Sequence, residues 1–374
     1  MSELDDVLAA LATSNGEGVA LATVVAARGS TYRRAGARLV VAGDGELIGN
    51  ISGGCLEGDV VRTAAEVLES GRPRLLHFDL TADDEVVWGW GLGCNGVIEV
   101  LVEPASLALG SVAALQAARR EHRSLALVTL LDGPRLEARL VVHPDGRTEG
   151  TLGVADLDGA AVEAALEALV AGASATTTLP TGDLRAFVEV FQPPLRLLVC
   201  GAGHDAIPLV AAGAGLGWSV EVIDNRPAFL VAARFPGAQR LVGAEPAEAA
   251  EAAGTDARTY AVVMSHNFLR DQDYLRSFLA SDVAYLGMLG PRARLDLLFD
   301  ALAGDGVVPV PGALDRVYGP AGLDIGAEGP EEIAWSIVTE ILAVSRRAGA
   351  GFLRTRRGPI HRSTAAETFA TTVR

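Results

Sequence analysis

Leu195-Arg196-Leu197-Leu198-Val199-Cys200-Gly201-Ala202-Gly203-His204-Asp205-Ala206 decides the fold of the second half of the chain. An apolar run of strand length enters a Gly-x-Gly-x-x-Ala loop, and an apolar helical pattern from Ile207 to Leu216 leaves it. A second strand pattern, Ser219 to Ile223, ends at Asp224, 23 residues after Gly201. Strand, glycine loop, helix, strand and acid is the dinucleotide fingerprint in its structural context. In that reading Gly201 makes the tight turn and Gly203 admits a phosphate. Ala206 lets the helix pack on the sheet, and Asp224 accepts from a ribose hydroxyl. Cys200 precedes the loop inside a strand and reads as core.

Downstream, Leu241-Val242 and Thr259 to Met264 read as further strands, with Ser265-His266-Asn267 closing the second of them. Asp271 to Leu279 reads as helix, Val283 to Met288 as strand, and Pro330-Glu331-Glu332 opens a last helix with proline and acids in its first turn. His204 and His266 fall at the carboxyl edge, where doubly wound sheets take ligands. Upstream, Gln192-Pro193-Pro194 is a stiff breaker.

The first half is a duplication. Residues 37–71 align without gaps on 138–172, and fifteen of the 35 positions are identical. Ala37-Arg38-Leu39-Val40-Val41 meets Ala138-Arg139-Leu140-Val141-Val142, and Asp44-Gly45 meets Asp145-Gly146. The match extends to Leu21-Ala22-Thr23-Val24 with Leu127-Val128-Thr129-Leu130, and to Ile98-Glu99-Val100 with Val188-Glu189-Val190. Each copy reads strand, turn, strand, helix, so the first half is a duplicated unit.

The differences between the copies carry the functional reading. Copy one has Gly53-Gly54-Cys55 where copy two has Val154-Ala155-Asp156, and a longer approach through Ser30 and Thr31. It also has extra residues ending in Gly91-Leu92-Gly93-Cys94-Asn95-Gly96. Copy two folds its unit without these features, so the fold alone does not require them. Adjacent glycines let a backbone approach a ligand closely. Amides at a helix start favour an anion and give a cysteine there thiolate character. A Cys55 loop of this kind combines a phosphate cradle with a soft ligand or nucleophile, and Cys55 and Cys94 are expected to converge on one pocket.

Composition bounds the rest. The 374 residues are 49% hydrophobic and 21% charged, enough for two cores. A net charge of −16 opposes nucleic-acid binding, which needs a basic face. No apolar run reaches membrane-spanning length, so the expectation is a cytoplasmic protein without membrane attachment. Three cysteines (55, 94 and 200) make no disulfide framework. The expected architecture is α/β, with an N-terminal duplicated α/β domain over 1–192 and a Rossmann-like parallel sheet over 193–345. The pseudo-repeats cover about 18–104 and 123–192, and 346–374 is a C-terminal tail.

With these motifs in order, the chain resembles the XdhC/CoxI family of xanthine dehydrogenase accessory proteins. The matching blocks are Gly29-Ser30-Thr31 through Ser52-Gly53-Gly54-Cys55-Leu56-Glu57, Gly91 to Gly96, Cys200 to His204 with Val222 to Arg226, Tyr285 to Gly290, and Gly322 to Gly326 with Pro330 to Ala334. Asn95 stands where many members carry glycine, and Asn225 follows Asp224 where another residue is common. The resemblance implies an accessory chaperone that binds molybdenum cofactor (molybdopterin), protects it while its terminal sulfur is installed, and passes it to an apo molybdenum hydroxylase. It further implies a cysteine desulfurase as sulfur source and a homodimer. On this reading Cys55 and Cys94 handle sulfur or serve as thiol ligands, and if a thiol ligates the molybdenum through the cofactor it is Cys55. Ser30, Thr31, Ser52, Gly53, Gly54, Gly201, Gly203, His204, Asp224 and His266 hold cofactor. Two alternatives stay open. One is an NAD(P)-dependent oxidoreductase with Cys55 or His266 near its substrate. The other is a regulatory nucleotide-sensing module, which leaves the copy-one insertions unexplained.

Overall fold

The computed structural model describes residues 3–80, 95–133, 135–136, 138–180 and 182–357. These form two compact units, Glu3–Pro193 and Pro194–Arg356.

The first unit begins with α1 (Glu3–Ser14) and then runs through copy one: β1 (Val19–Ser30), β2 (Arg38–Ala42), β3 (Leu47–Gly49), α2 (Glu57–Ser70), β4 (Arg74–Asp79) and β5 (Asn95–Pro104). Helix α3 (Ala105–Arg120) leads into copy two: β6 (Leu125–Leu130), β7 (Arg139–Val142), β8 (Thr148–Thr151), α4 (Ala155–Ala171), β9 (Ala175–Leu179) and β10 (Leu184–Phe191). The duplication in sequence is a duplication in topology. The two antiparallel five-stranded sheets have orders β3-β2-β1-β5-β4 and β8-β7-β6-β10-β9. One aligned glycine pair is forced by geometry. Gly49 and Gly150 both have positive φ, and a Cβ on either would run into the carbonyl oxygen of the aligned arginine, Arg38 or Arg139.

Alternation sorts each sheet's side chains onto two faces. Ala20, Ala22, Val24, Leu39 and Val41 pack with Val60, Ala64 and Val67 of α2. Their counterparts Ala126, Val128, Leu130, Leu140 and Val142 pack with Leu157, Ala161 and Ala165 of α4. The opposite faces share one core: Leu21, Val40, Leu127 and Val141 bury together with Val7, Leu8 and Leu11 of α1 and Val112 and Leu115 of α3.

Three buried charges, Arg38, Glu103 and Glu189, and the largely buried Arg139 lie where the copies meet. Arg38 of copy one makes a bidentate pair with Glu189 of copy two, at 2.5 and 2.7 Å. Arg139 of copy two reaches Glu103 of copy one at 2.5 Å. The register shows that these pairs are reciprocal. Thr23 faces Arg38 and Leu21 faces Glu103 in one sheet, while Thr129 faces Arg139 and Leu127 faces Glu189 in the other. Glu103 is therefore the counterpart of Glu189. The sequence match of Glu99 to Glu189 is corrected by four residues, because apolar-Glu-apolar recurs along β5 and only the partner tells the repeats apart. Glu99 instead meets Arg185, at 2.6 Å.

The second unit is a parallel sheet of order β13-β12-β11-β14-β15-β16. In chain order it comprises β11 (Arg196–Cys200), α5 (Ala206–Gly215), β12 (Ser219–Asp224), β13 (Arg240–Gly243), α6 (Ala249–Ala253), β14 (Thr259–Val263), α7 (Phe268–Leu279), β15 (Tyr285–Met288), α8 (Arg292–Gly304), β16 (Val317–Tyr318) and α9 (Pro330–Ser345). Central β11 is buried on both faces: Leu198 and Cys200 pack toward α7 and α8, and Leu197 and Val199 toward α5 and α9. Strand order reverses between β11 and β14, which opens the crevice where such sheets take ligands. Helix α7 starts at Phe268, ahead of the predicted Asp271, because the Asn267 side chain accepts from the Arg270 amide and caps it. Strand β16 has two residues, too few for a periodicity to show. Among the described residues no helix is long and apolar enough to cross a membrane.

Removing one member of a buried ion pair strands the other. Arg38→Met is expected to lower stability by about 3 kcal/mol. The double change Arg38→Met, Glu189→Leu should return most of it, as measured by urea denaturation of the full chain.

Candidate functional site

In copy two, helix α4 starts at Ala155. In copy one, α2 starts only at Glu57, so Gly54-Cys55-Leu56 stays unwound where its counterpart Ala155-Asp156-Leu157 is helical. A buried polar clamp holds the unwound turn. Ser52 is 1% exposed and donates to Glu57 Oε2 at 2.5 Å. Its hydroxyl accepts from the amides of Gly54 and Leu56, both at 3.2 Å, and its own amide donates to Glu57 Oε1 at 3.1 Å. Copy two ties its helix start with a comparable but exposed pair, Thr151 (the counterpart of Asn50) and Asp158, joined at 2.7 Å. Ser52 thus works inside the loop, with its hydrogen-bonding capacity used there.

The outside of the loop is open. Gly54 has φ +104, and a Cβ there would meet nothing. A Cβ on Gly53 would touch only the ring of Tyr32, which is exposed. Among the described residues no group accepts from the amides of Gly53 or Cys55. Cys55 is half-buried, with its body against the α2 core. The Asn50 Oδ1 atom at the loop's entry is buried without a hydrogen-bond partner, and such acceptors are rare in folded proteins. Ser30 ends β1, and Thr31 donates to the Arg33 carbonyl within its own turn at 2.9 Å. Cys94 lies outside the described residues.

At the Rossmann edge the glycines divide their roles. Gly201 has φ +110, and a Cβ there would collide with the backbone of Met264 and Ser265, so packing of β11 on the neighbouring strand requires it. Gly203 faces open space, with the His266 ring as its nearest neighbour at 4.0 Å. His266 has φ +56 and places Nε2 2.9 Å from the Asp205 carboxylate at the start of α5. His204 is exposed. Ser265 and Asp271 join at 2.5 Å, and Asp271 continues to Arg294 at 2.7 Å.

Asp224 is already engaged. Its Oδ1 accepts from the Arg226 amide and Nε, both at 2.9 Å, and its Oδ2 from the Ala202 amide and Arg226 Nη2, both at 2.7 Å. Burial works to raise its pKa, but the bonds from Arg226 and the Ala202 amide outweigh it and hold the carboxyl below its ordinary value. Burial pushes the Cys200 thiol well up, and Asp271 and Asp224 add to this, so Cys200 is an inert core group. Among the described residues, no group of three or more His, Cys, Asp or Glu could hold a metal ion.

Comparison with known proteins agrees with both units. A family model described as XdhC Rossmann domain matches residues 197–341, and one described as XdhC and CoxI family matches 12–79 and 118–180. The chain belongs to the XdhC and CoxI family. One family relative is a Bacillus subtilis protein named as a probable component of xanthine dehydrogenase. It is 32% identical over 93% of this chain and 99% of its own. An Escherichia coli protein named Molybdenum cofactor insertion chaperone PaoD is 24% identical over 89% of this chain and 85% of its own. A crystal structure described as a xanthine dehydrogenase from Bacillus halodurans superposes with TM-score 0.75 at 28% identity. The superposition covers 94% of this chain and 98% of that one.

Within this XdhC/CoxI chain, sequence reading passed over Glu57, Asn50, Asp205 and Arg226. A signal existed for Glu57: the gapless repeat alignment sets it against Asp158, an acid on an acid at each helix start. For Arg226 the signal was a cation two residues after a fingerprint acid. Nothing marked Asn50, whose burial is a tertiary fact.

A carboxyl whose folded pKa is depressed contributes stability above its unfolded pKa and loses it as pH falls through the folded value. Asp224→Asn is expected to cost the Rossmann unit about 2 kcal/mol at pH 7, the worth of charged hydrogen bonds. It should also flatten the fall of melting temperature between about pH 5 and pH 2.

Proposed function

We propose that the protein carries molybdenum cofactor as cargo, binding it at the Cys55 loop and handing it to an apo molybdenum hydroxylase of the xanthine dehydrogenase or CO dehydrogenase type. The observation that carries this is the unwound first turn of α2. Copy two shows that the repeat closes that turn into helix, and copy one keeps it open with a half-buried thiol on its rim. The residues suit the cargo. The free amides of Gly53 and Cys55 suit a terminal phosphate. The Asn50 oxygen is an acceptor for a pterin N–H, and the Cys55 sulfur is a soft partner for molybdenum or for sulfur in transfer. Relatives named for xanthine dehydrogenase and for molybdenum cofactor insertion support the same reading. The finer account is sulfuration of the held cofactor with sulfur from a cysteine desulfurase, by a homodimer in the cytoplasm, with Cys94 assisting. An oxidoreductase that reads NAD(P) through Asp224 is the poorer reading, because the acceptor sites of Asp224 are filled.

The test compares Cys55→Ala with Cys200→Ala after purification from molybdenum-replete cells. Cys55→Ala is expected to lose most bound molybdenum, measured by elemental mass spectrometry, and to keep its melting temperature. Cys200→Ala is expected to keep molybdenum and lose about 1 kcal/mol of stability. A Cys55→Ala protein that melts early yet retains molybdenum would mean that Cys55 is only core.

A further inference from the structure

The acid at the end of β12 is the group by which dinucleotide-binding sheets hold a ribose diol. An ionised carboxylate offers about four lone-pair sites. At Asp224 four donors fill them: the Ala202 amide, the Arg226 amide, and Nε and Nη2 of the Arg226 side chain. Two of the four are backbone amides fixed by the fold. The other two come from one side chain, two residues along the chain.

Arg226 is also held from its far side. Its guanidinium lies 4.0 Å from the Phe229 ring centre, within the range of a cation–π contact. Arg234 lies against the same ring, at 5.4 Å, and donates to the carbonyls of Ala202 and Gly203, at 3.0 and 3.3 Å. The fork and the glycine loop are thus braced together, and Arg226 does not swing free as an isolated surface arginine would.

We infer that Arg226 is the specificity-determining residue of the Rossmann unit, occupying Asp224 so that ligands recognised through a ribose diol are excluded. A diol would have to displace a bidentate, stacked guanidinium from a carboxylate that is 2% exposed. The fold keeps the fingerprint glycines, but Gly201 is explained by packing on Met264 and Ser265, so the fingerprint here does not by itself imply a dinucleotide. This inference is independent of the Cys55 loop and stands or falls without it.

The experiment titrates NAD+ into the full chain by calorimetry, with wild type, Arg226→Ala and Arg226→Met. Arg226→Met keeps an apolar stem against Phe229 and guards against misfolding, which circular dichroism checks. Wild type is expected to show no saturable NAD+ binding into the millimolar range. Both variants are expected to gain affinity by at least about tenfold, the scale of one freed charged hydrogen-bonding group. Adding Asp224→Asn to either variant should abolish the gain. Tight NAD+ binding by wild type would overturn the inference. So would folded Arg226 variants without a gain, or a gain that survives Asp224→Asn.

Discussion

A buried charge is tolerated only beside its partner, and the first unit is arranged around that rule. Arg38 and Arg139 occupy the same place in the two copies, and each finds its carboxylate in the other copy. Neither copy closes its ion pairs alone: separated, Arg38 and Arg139 would each lose the carboxylate that the other copy supplies. Apolar packing between the sheets is non-directional, and Leu21 or Leu127 would accept several registers. The charge pairs accept one. The cost of desolvating four charged groups offsets much of their attraction, so their effect falls mainly on which arrangement forms.

Once the copies are fixed against each other, their differences become local. Both use an acid in the first turn of the helix and a hydroxyl from the chain between strand and helix, Ser52 three residues past β3 and Thr151 at the end of β8, to tie the helix start. In copy two the tie leaves the helix free to start at Ala155. In copy one the same kind of tie is drawn between Ser52 and Glu57, and the residues between them loop outward. Two glycines, one facing open space and one facing only the exposed Tyr32 ring, keep that loop passable from outside. The stability of the turn therefore rests on Ser52 and Glu57, and Gly53, Gly54 and Cys55 are free to meet a ligand. On the proposed function, one altered turn on a shared scaffold carries the chemistry while the core stays unchanged.

The second unit shows the converse. Its sheet order, glycine loop and acid all follow the dinucleotide pattern, yet the acid is spent within the fold. Asp224 holds the Ala202 amide and Arg226 together, and Arg234 holds the carbonyls of the same loop. The loop is fixed by its own surroundings and does not wait for a nucleotide to order it. Fold likeness and ligand likeness part company at this carboxylate.

Local patterns settled most of the architecture. Apolar runs of strand length placed β11, β14 and β15, because a strand buried on both faces needs such a run, and the spacing from the glycine loop to Asp224 placed β12. The repeat was legible because two copies under the same packing constraints kept the same residues. Gly49 and Gly150 kept their glycines because a backbone carbonyl leaves no room for a Cβ. The Cys55 loop was legible as a departure from that repeat. What only the tertiary structure decided depends on partners distant in sequence or hidden by burial. The alternation of apolar residues with glutamate made Glu99 and Glu103 equivalent on paper, and only Arg139, brought across from the other copy, chose Glu103. The sequence of Ser52 suited a ligand contact, and its burial under the loop gave it to Glu57 instead. Asp224 read as a ribose acceptor from its spacing, and the rotamer of Arg226 filled it, because a guanidinium's reach and direction are set by packing on Phe229 and not by its position in the chain.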